Sequence, residues 1–448
     1  MLRTPRSSRS ARLPGLRALA LVAALSVGLT GCNAGRNDTP VDPADRTGSP
    51  DASGSGGGQD LGPRLPGSHL TGKVVAPEGT LPISGALVYI TSVPPAPIPD
   101  GVYCDKCVHL PEGTAYTLTK PDGSFELDAG LGSAYLVVQK GAFRRVRTIS
   151  LQSGVQPVPA ALTTLPSITD KAAGDDVPKI AVVLGAWDPI EVVLARMGLK
   201  ATISKDLFGK AQVLVKDAPA FAIYGAHYLG EPTPYPSSIT LLTDPKEISK
   251  YHIVFIPCSG SVYNGDDPSA PRCSGVYAYD ARVKTTLNEF VQKGGRLYAS
   301  DWSYEYVRQV FPGALSWRGE ATPIGSACMN GGGDQIVTGK DAGLEAWLSA
   351  QMQSLGSVKD AWTVLTGVNP VASVDPDGKP VRTTPKVWVQ AQGAPVSASL
   401  QHGCGRVLYT TYHTQPTAQS NEPLSPQALT LLYLILEVGV CIDPPIIG

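Results

Sequence analysis

The sequence predicts a multidomain protein in which a small antiparallel β-sandwich precedes a doubly wound α/β domain with a mostly parallel sheet. First, 448 residues exceed what one hydrophobic core normally holds. Second, residues 67–152 contain short alternating runs separated by turns, whereas from residue 178 onward apolar runs alternate with helical patterns. The predicted segments are a signal peptide (1–31), a lipidated Cys and tether (32–66), the sandwich (67–152), a linker (153–177) and the α/β domain (178–448).

Composition indicates a globular protein and excludes nucleic-acid binding. The chain has 37 Lys and Arg against 38 Asp and Glu, and 42% of its residues are hydrophobic, which is typical of globular proteins. No dense basic stretch follows residue 17, so we expect no nucleic-acid partner. We also predict no cofactor.

The N-terminus has the pattern of a bacterial export signal. Five arginines and no acid occupy residues 1–17, and 13 apolar or small residues follow at 18–30, too few to span a membrane as a helix. Leu29-Thr30-Gly31-Cys32 resembles the lipobox of bacterial lipoproteins, which implies cleavage before Cys32, acylation of its thiol and anchoring in the envelope membrane. Asn33 favours the outer membrane under the usual sorting rule. The alternative is a plain secretory peptide in which Cys32 is incidental.

A flexible tether follows the lipobox. Residues 33–66 contain no aromatic residue, and their only large aliphatics are Val41, Leu61 and Leu65. Such a segment buries too little apolar surface to offset the entropy of ordering its backbone.

Residues 67–152 read as strands and turns. Side chains alternate in the two-residue period of a β-strand at 86–90 and 124–127. The predicted strands follow one another about every ten residues, which favours a sandwich. The Gly72-Lys73-Val74 segment, the strand entry at 82–88 and the turn at 119–125 resemble the carboxypeptidase regulatory-like domain. That family implies a transthyretin-like, non-catalytic accessory module of secreted and surface proteins. An insertion at 94–114 departs from its pattern.

This insertion carries a CxxC motif, Cys104-Asp105-Lys106-Cys107. The spacing permits a disulfide, a redox pair, or half of a zinc site with His109 as a third ligand. In an exported protein we favour a Cys104–Cys107 disulfide.

The α/β pattern begins after the linker. Buried strands are predicted at 179–185, 251–257, 296–299 and 405–412. Asp188-Pro189 predicts a helix start, Gly294-Gly295 ends a helix over 283–292, and Ser425-Pro426 begins a last helix. Alternating strands and helices imply a parallel sheet.

The order of these segments is similar to that of the class I glutamine amidotransferase-like fold, which is flavodoxin-like. The likeness rests on the strand end Ile256-Pro257-Cys258, the strand after Gly295, and the late Tyr412-His413-Thr414-Gln415. Active members place a Cys on a strand-to-helix elbow and an acid two residues after the late His. Here the elbow at 300–303 has no Cys, and Gln415 replaces the acid. The resemblance therefore implies a degenerate domain without amidotransferase activity.

Six candidate site residues follow predicted strands, whose carboxyl ends meet at one sheet edge. They are Asp188, Cys258, Asp301, Trp302, Glu305 and His413. One interpretation is a cleft for a small polar ligand, a sugar or a cation, although no metal site is predicted from their spacing. The other is structural: both aspartates cap helices, Trp302 packs and His413 makes a local hydrogen bond.

The remaining cysteines leave alternatives open. Cys258 and Cys273 flank a polar loop, which favours a disulfide between them over a reactive thiol. Seven cysteines follow Cys32, so one is unpaired, and nothing in the sequence selects it among Cys328, Cys404 and Cys441.

These observations predict a non-catalytic cell-envelope lipoprotein that acts as a binding or structural module, with a protein or glycan of the envelope as its partner. The alternative is a divergent envelope hydrolase that uses Asp301, Glu305 and His413.

Overall fold

The computed structural model describes residues 67–104, 110–185, 187–205, 211–225, 235–258, 280–322, 325–328, 331, 333–414 and 423–437. The predicted signal peptide, Cys32 and the tether lie outside these ranges, as do Cys107, Cys273, Gln415 and Cys441. Among the helices of the described ranges, none has the length and apolar character needed to cross a membrane.

Two sheets form the first part of the fold. Their strands are β1 (Ser68–Lys73), β2 (Leu87–Thr91), β3 (Tyr116–Leu118), β4 (Ser124–Ala129), β5 (Gly132–Lys140), β6 (Phe143–Leu151), β7 (Gly154–Pro157) and β8 (Asp175–Asp176). One sheet has the order β4-β1-β7 and the other β3-β2-β5-β6-β8. Leu70 and Phe125 from the first sheet share an apolar cluster with Val88 and Leu136 from the second. The first sheet is not purely antiparallel, because β7 runs parallel to β1.

The predicted linker, 153–177, contributes to both sheets. It carries β7, the short helix α1 (Ala160–Thr163) and β8, which pairs with β6. Asp175 and Asp176 hold β8 in place through buried ion pairs: Asp175 binds Arg145 and Arg147, and Asp176 binds Arg144. This segment contains Pro and Thr and has no periodicity, so its sequence does not predict these ion pairs. Their partners lie about 30 residues away, as in the Arg145–Asp175 pair.

A nine-stranded sheet forms the second part. Its strands are β9 (Ile180–Val183), β12 (Ala222–Tyr224), β13 (Ile253–Ile256), β14 (Arg296–Ser300), β16 (Gln335–Lys340), β17 (Ser357–Val358), β21 (Lys386–Ala391), β22 (Ala394–His402) and β23 (Gly405–Thr410). Short pairs outside it are β10 (Ile203–Lys205) with β11 (Ala211–Val213), β15 (Leu315–Trp317) with β18 (Leu365–Val368), and β19 (Val371–Val374) with β20 (Pro380–Thr383). The helices are α2 (Ile190–Arg196), α3 (Ser238–Thr243), α4 (Pro245–Ile248), α5 (Ala281–Gln292), α6 (Tyr304–Val310), α7 (Ala342–Ala350) and α8 (Pro426–Glu437).

The prediction of a flavodoxin-like, doubly wound and mostly parallel domain is wrong. The strand order is β12-β9-β13-β14-β23-β22-β21-β16-β17, in which the first five strands are parallel and the last four are joined antiparallel. The reversal begins where β22 and β23 form a hairpin. Apolar runs identified the buried parallel strands, but they carry no information on how hairpins extend a sheet.

The two parts share one core. A single apolar cluster runs from Leu70 in β1 to Leu436 in α8. Trp347 of α7 is buried in it, and its indole Nε1 donates to the Pro82 carbonyl at 2.8 Å. A disulfide between Cys104 and Cys404 joins the parts a second time. The predicted Cys104–Cys107 disulfide is therefore wrong, since Cys104 is bonded to a cysteine 300 residues away.

Helix α5 ends as its sequence predicts. Asp280 caps its first turn by accepting from the Arg282 backbone N–H, and the helix stops at Gln292. Gly294 then adopts a φ of 115°, and a Cβ at this position would lie 1.9 Å from the Tyr103 carbonyl oxygen. Only glycine allows both this conformation and this close approach.

Candidate functional site

Four neighbouring parallel strands end at the same edge of the large sheet. The chain leaves β9 toward Asp188, β13 toward Cys258, β14 toward Asp301 and β23 toward His413. From β9 the chain goes first to β12 on one side and then to β13 on the other. Such a reversal of strand order opens a crevice at the carboxyl ends in α/β sheets. All four side chains are buried.

Asp301 lies at the centre of this edge, on the turn between β14 and α6. Its φ of 40° lies in the left-handed region, which costs a non-glycine residue about 1–3 kcal/mol and is common at functional sites. One carboxylate oxygen, Oδ1, accepts from the backbone N–H and the hydroxyl of Thr363, both at 2.8 Å. The other, Oδ2, lies 2.7 Å from His413 Nε2 and 3.7 Å from Cys258 Sγ.

The His413 imidazole is held by this carboxylate. Burial alone would lower the pKa of His413, but the hydrogen bond and charge of Asp301 outweigh it and raise that pKa. The Gln427 side chain donates to the His413 carbonyl at 2.6 Å and fixes the backbone. The pair therefore shares a proton between two strand ends 112 residues apart. Neither a local bond of His413 nor a helix-capping role of Asp301 describes this geometry.

Cys258 is a free, fully buried thiol. The predicted Cys258–Cys273 disulfide is therefore wrong. Burial and the nearby Asp301 charge raise the pKa of the thiol well above its ordinary value, so it is protonated at neutral pH. The Cys258 backbone N–H donates to Ser300 Oγ at 2.8 Å. Of the three late cysteines, Cys404 and Cys328 are both disulfide-bonded.

Asp188 ties β9 to two other chain segments. Its Oδ1 accepts from the Thr414 backbone N–H at 2.9 Å and from the Thr414 hydroxyl, and its Oδ2 accepts from Ser300 Oγ at 2.5 Å. Tyr298 lies at 3.5 Å from the same Oδ2. The Asp188 carboxylate does not cap α2 as the structural interpretation predicts, because the first turn of α2 has no side-chain cap.

The last two predicted residues have other partners. Both carboxylate oxygens of Glu305 bind the Arg308 guanidinium at 2.9 Å, and Glu305 also accepts from the Gly325 N–H at 3.0 Å. Trp302 is half-buried, and its indole donates to the Cys328 carbonyl at 2.9 Å. Three candidates, Cys258, Asp301 and His413, thus form one group whose side-chain N, O and S atoms lie within 4.8 Å of one another.

Sequence reasoning missed Thr363 and Glu191. Thr363 reaches the site from a segment 62 residues beyond Asp301, and no local pattern marks it. Glu191 is buried in α2, and burial with the nearby Asp188 charge raises its pKa to about 8. Its Oε2 has no hydrogen-bond partner within the described residues. The sequence did indicate that Glu191 is buried, because it stands between Ile190 and two valines on a predicted helix.

Comparison with known proteins gives no family. No protein-family model and no curated protein matches the chain. The cytoplasmic protein STM3548 from Salmonella typhimurium matches 59% of this chain and 99% of its own, at 10% identity and a TM-score of 0.30. A β-galactosidase from Bacillus circulans matches 59% of this chain and 31% of its own, at 13% identity and a TM-score of 0.26. The exo-β-1,4-mannosidase Op5Man5 from an Opitutaceae bacterium matches 53% of this chain at 9% identity and a TM-score of 0.20. Similarities this distant carry no argument about function.

Proposed function

We propose that this chain is an exported, lipid-anchored protein of the bacterial envelope, most simply of the outer membrane, whose folded region is a non-catalytic binding or structural module. The Arg-rich N-terminus and the lipobox at Cys32 support this localisation. The Cys104–Cys404 disulfide supports an oxidising compartment. Its partner would be a ligand or protein of the envelope.

The order of three side chains carries the non-catalytic proposal. In a cysteine nucleophile site, the imidazole lies between the thiol and the acid, so that it can remove the thiol proton. Here the Asp301 carboxylate lies between them: Oδ2 contacts both Cys258 Sγ and His413 Nε2. A negative charge beside the thiol opposes thiolate formation. The arrangement therefore binds a proton tightly and does not activate a nucleophile.

The hydrolase alternative has one observation in its favour, the 2.7 Å contact between Asp301 and His413. Against it, Glu305 is neutralised by Arg308, so it is not free to act as a second acid or base. Asp301 is fully buried and already accepts from Thr363 and His413. A general base must reach the substrate proton, and in this structure Asp301 Oδ2 is already in contact with the His413 and Cys258 side chains.

A hydrolase screen tests this proposal. The mature lipoprotein and an Asp301→Asn variant are assayed on esters, peptides and aryl glycosides, with Asp128→Asn, an exposed Asp paired with His69, as the control. We expect all three proteins to show no turnover. Turnover in wild type and Asp128→Asn that disappears in Asp301→Asn would overturn the non-catalytic proposal. Acylation is tested separately, by loss of labelled fatty acid in Cys32→Ser.

A further inference from the structure

The group formed by Cys258, Asp301 and His413 combines a thiol, a carboxylate and an imidazole on three different chain segments. We propose that it is a binding site for one divalent transition-metal ion of the zinc type. This inference rests on the proposed binding function and names the ligand class.

The donor set fits such an ion. Thiolate, imidazole and carboxylate bind Zn²⁺ at about 2.3, 2.0 and 2.0 Å, which places donor atoms about 3.3–3.5 Å apart around a tetrahedral ion. The Cys258 Sγ to Asp301 Oδ2 distance is 3.7 Å, close to this value. The His413 Nε2 to Asp301 Oδ2 distance is 2.7 Å, the length of a hydrogen bond that the ion would replace. A thiol donor disfavours Mg²⁺ and Ca²⁺, which prefer oxygen ligands.

The surroundings orient the donors before any ion arrives. Thr363 holds Asp301 Oδ1 with two hydrogen bonds, so Oδ2 is the oxygen that faces the other two donors. Ser300 fixes the Cys258 backbone, and Gln427 fixes that of His413. Outer contacts of this kind are what metal sites use to position their ligands.

Binding balances as a proton exchange. The Cys258 thiol loses its proton as the metal–sulfur bond forms, and the proton shared by His413 and Asp301 also leaves. Two protons are released for one divalent ion, so the net charge of the site does not change. Three protein ligands leave a fourth position for water. In an exported protein whose Cys104, Cys328 and Cys404 are oxidised to disulfides, a metal role also accounts for a buried thiol that stays reduced.

The test uses Co²⁺ and Zn²⁺ on the full mature chain, because Co²⁺ bound to a thiolate has a charge-transfer absorption band. We expect one equivalent of Co²⁺ with this band, displaced by Zn²⁺, and loss of both signals in Cys258→Ser. Thr363→Val removes one donor to Asp301 and should weaken Zn²⁺ binding about 10- to 100-fold. The control is His69→Gln, because His69 Nδ1 also lies 2.7 Å from a carboxylate, that of Asp128, but on the surface and without a thiol.

Two outcomes would overturn the proposal: no charge-transfer band in wild type, or metal uptake that persists in Cys258→Ser and disappears in His69→Gln. If Cys258→Ser does not fold, His413→Gln replaces it, and uptake of one equivalent of Zn²⁺ that this change leaves undiminished refutes the site. The hydrolase screen is repeated on Zn²⁺-loaded protein. Metal binding without turnover supports both proposals, whereas metal-dependent turnover lost in Cys258→Ser would keep the site and refute the non-catalytic function.

Discussion

Acid should destabilise this protein through His252, a buried side chain between the two parts of the fold. His252 Nδ1 accepts from the Lys179 backbone N–H at 2.8 Å, so its proton is on Nε2, which lies 3.0 Å from the Pro99 carbonyl oxygen. A second proton would have to occupy Nδ1, where a donor already points. Burial, with smaller contributions from Arg296 and Lys179, lowers the pKa of His252 to about 4.

The sign and size of the effect follow from linkage. An unfolded histidine has a pKa of about 6.5, so between pH 6.5 and 4 the unfolded chain binds a proton that the folded chain does not. Stability is therefore lost as the pH falls through this window. With a folded pKa of about 4, His252 alone removes about 2 kcal/mol of unfolding free energy between pH 7 and pH 5.

Urea unfolding at pH 7 and pH 5 measures this contribution. Other groups also titrate, so the quantity of interest is the difference between wild type and His252→Asn, whose amide keeps an acceptor near Nδ1. We expect the variant to lose about 2 kcal/mol less than wild type over this range. His69→Asn, at a half-exposed histidine, is the control. Equal acid sensitivity of wild type and His252→Asn would refute the reasoning.

Three further predictions concern stability. Cys404→Ser opens a disulfide that encloses 300 residues, and chain entropy sets the loss of unfolding free energy at up to about 5 kcal/mol. Dithiothreitol should destabilise wild type at least as much, because it also reduces the disulfide of Cys328. Asp175→Asn leaves the half-buried guanidinium groups of Arg145 and Arg147 without their charge partner and should cost about 2–3 kcal/mol by urea unfolding. Because the pKa of Glu191 is raised to about 8, its burial destabilises the fold as the pH rises from 4.5 toward 8, so Glu191→Gln should stabilise the protein more at pH 8 than at pH 5.

For each of these three predictions, one experimental outcome would contradict the reasoning. A reductant that leaves the unfolding midpoint unchanged would contradict the disulfide prediction. Glu126→Gln, in an exposed pair with Lys120, should cost less than about 1 kcal/mol, and a loss equal to that of Asp175→Asn would contradict the buried-network account. A pH-independent effect of Glu191→Gln would show that its carboxyl is ionised in the folded state.

Local patterns predicted the elements that bury continuous apolar runs. Strands β9 and β13 have four buried residues each, and α5 ends before the Gly294-Gly295 pair. The predicted fold class was wrong because β22 and β23 form a hairpin, after which the strands of the sheet pair antiparallel. Whether a new strand joins parallel or antiparallel depends on pairings that no single run reveals.

The site was predictable in its position more than in its contacts. Strand ends indicated where Asp188, Cys258, Asp301 and His413 would come together, because parallel strands end at one edge. The spacing of cysteines was misleading, since the Cys104–Cys404 bond joins residues 300 positions apart. Thr363 could not be predicted for the same reason, because it lies 62 residues from Asp301 and only the folding of the chain brings the two together.

The reactivity of Cys258 tests the central claim most directly. The folded, unreduced protein is treated with iodoacetamide at neutral pH, and labelled cysteines are identified by peptide mapping. The account predicts that Cys258 stays unlabelled until the chain is unfolded, because the thiol is buried, protonated and adjacent to the Asp301 carboxylate. Rapid labelling of Cys258 that slows in His413→Ala would contradict it, because only an imidazole-activated thiolate reacts in that way.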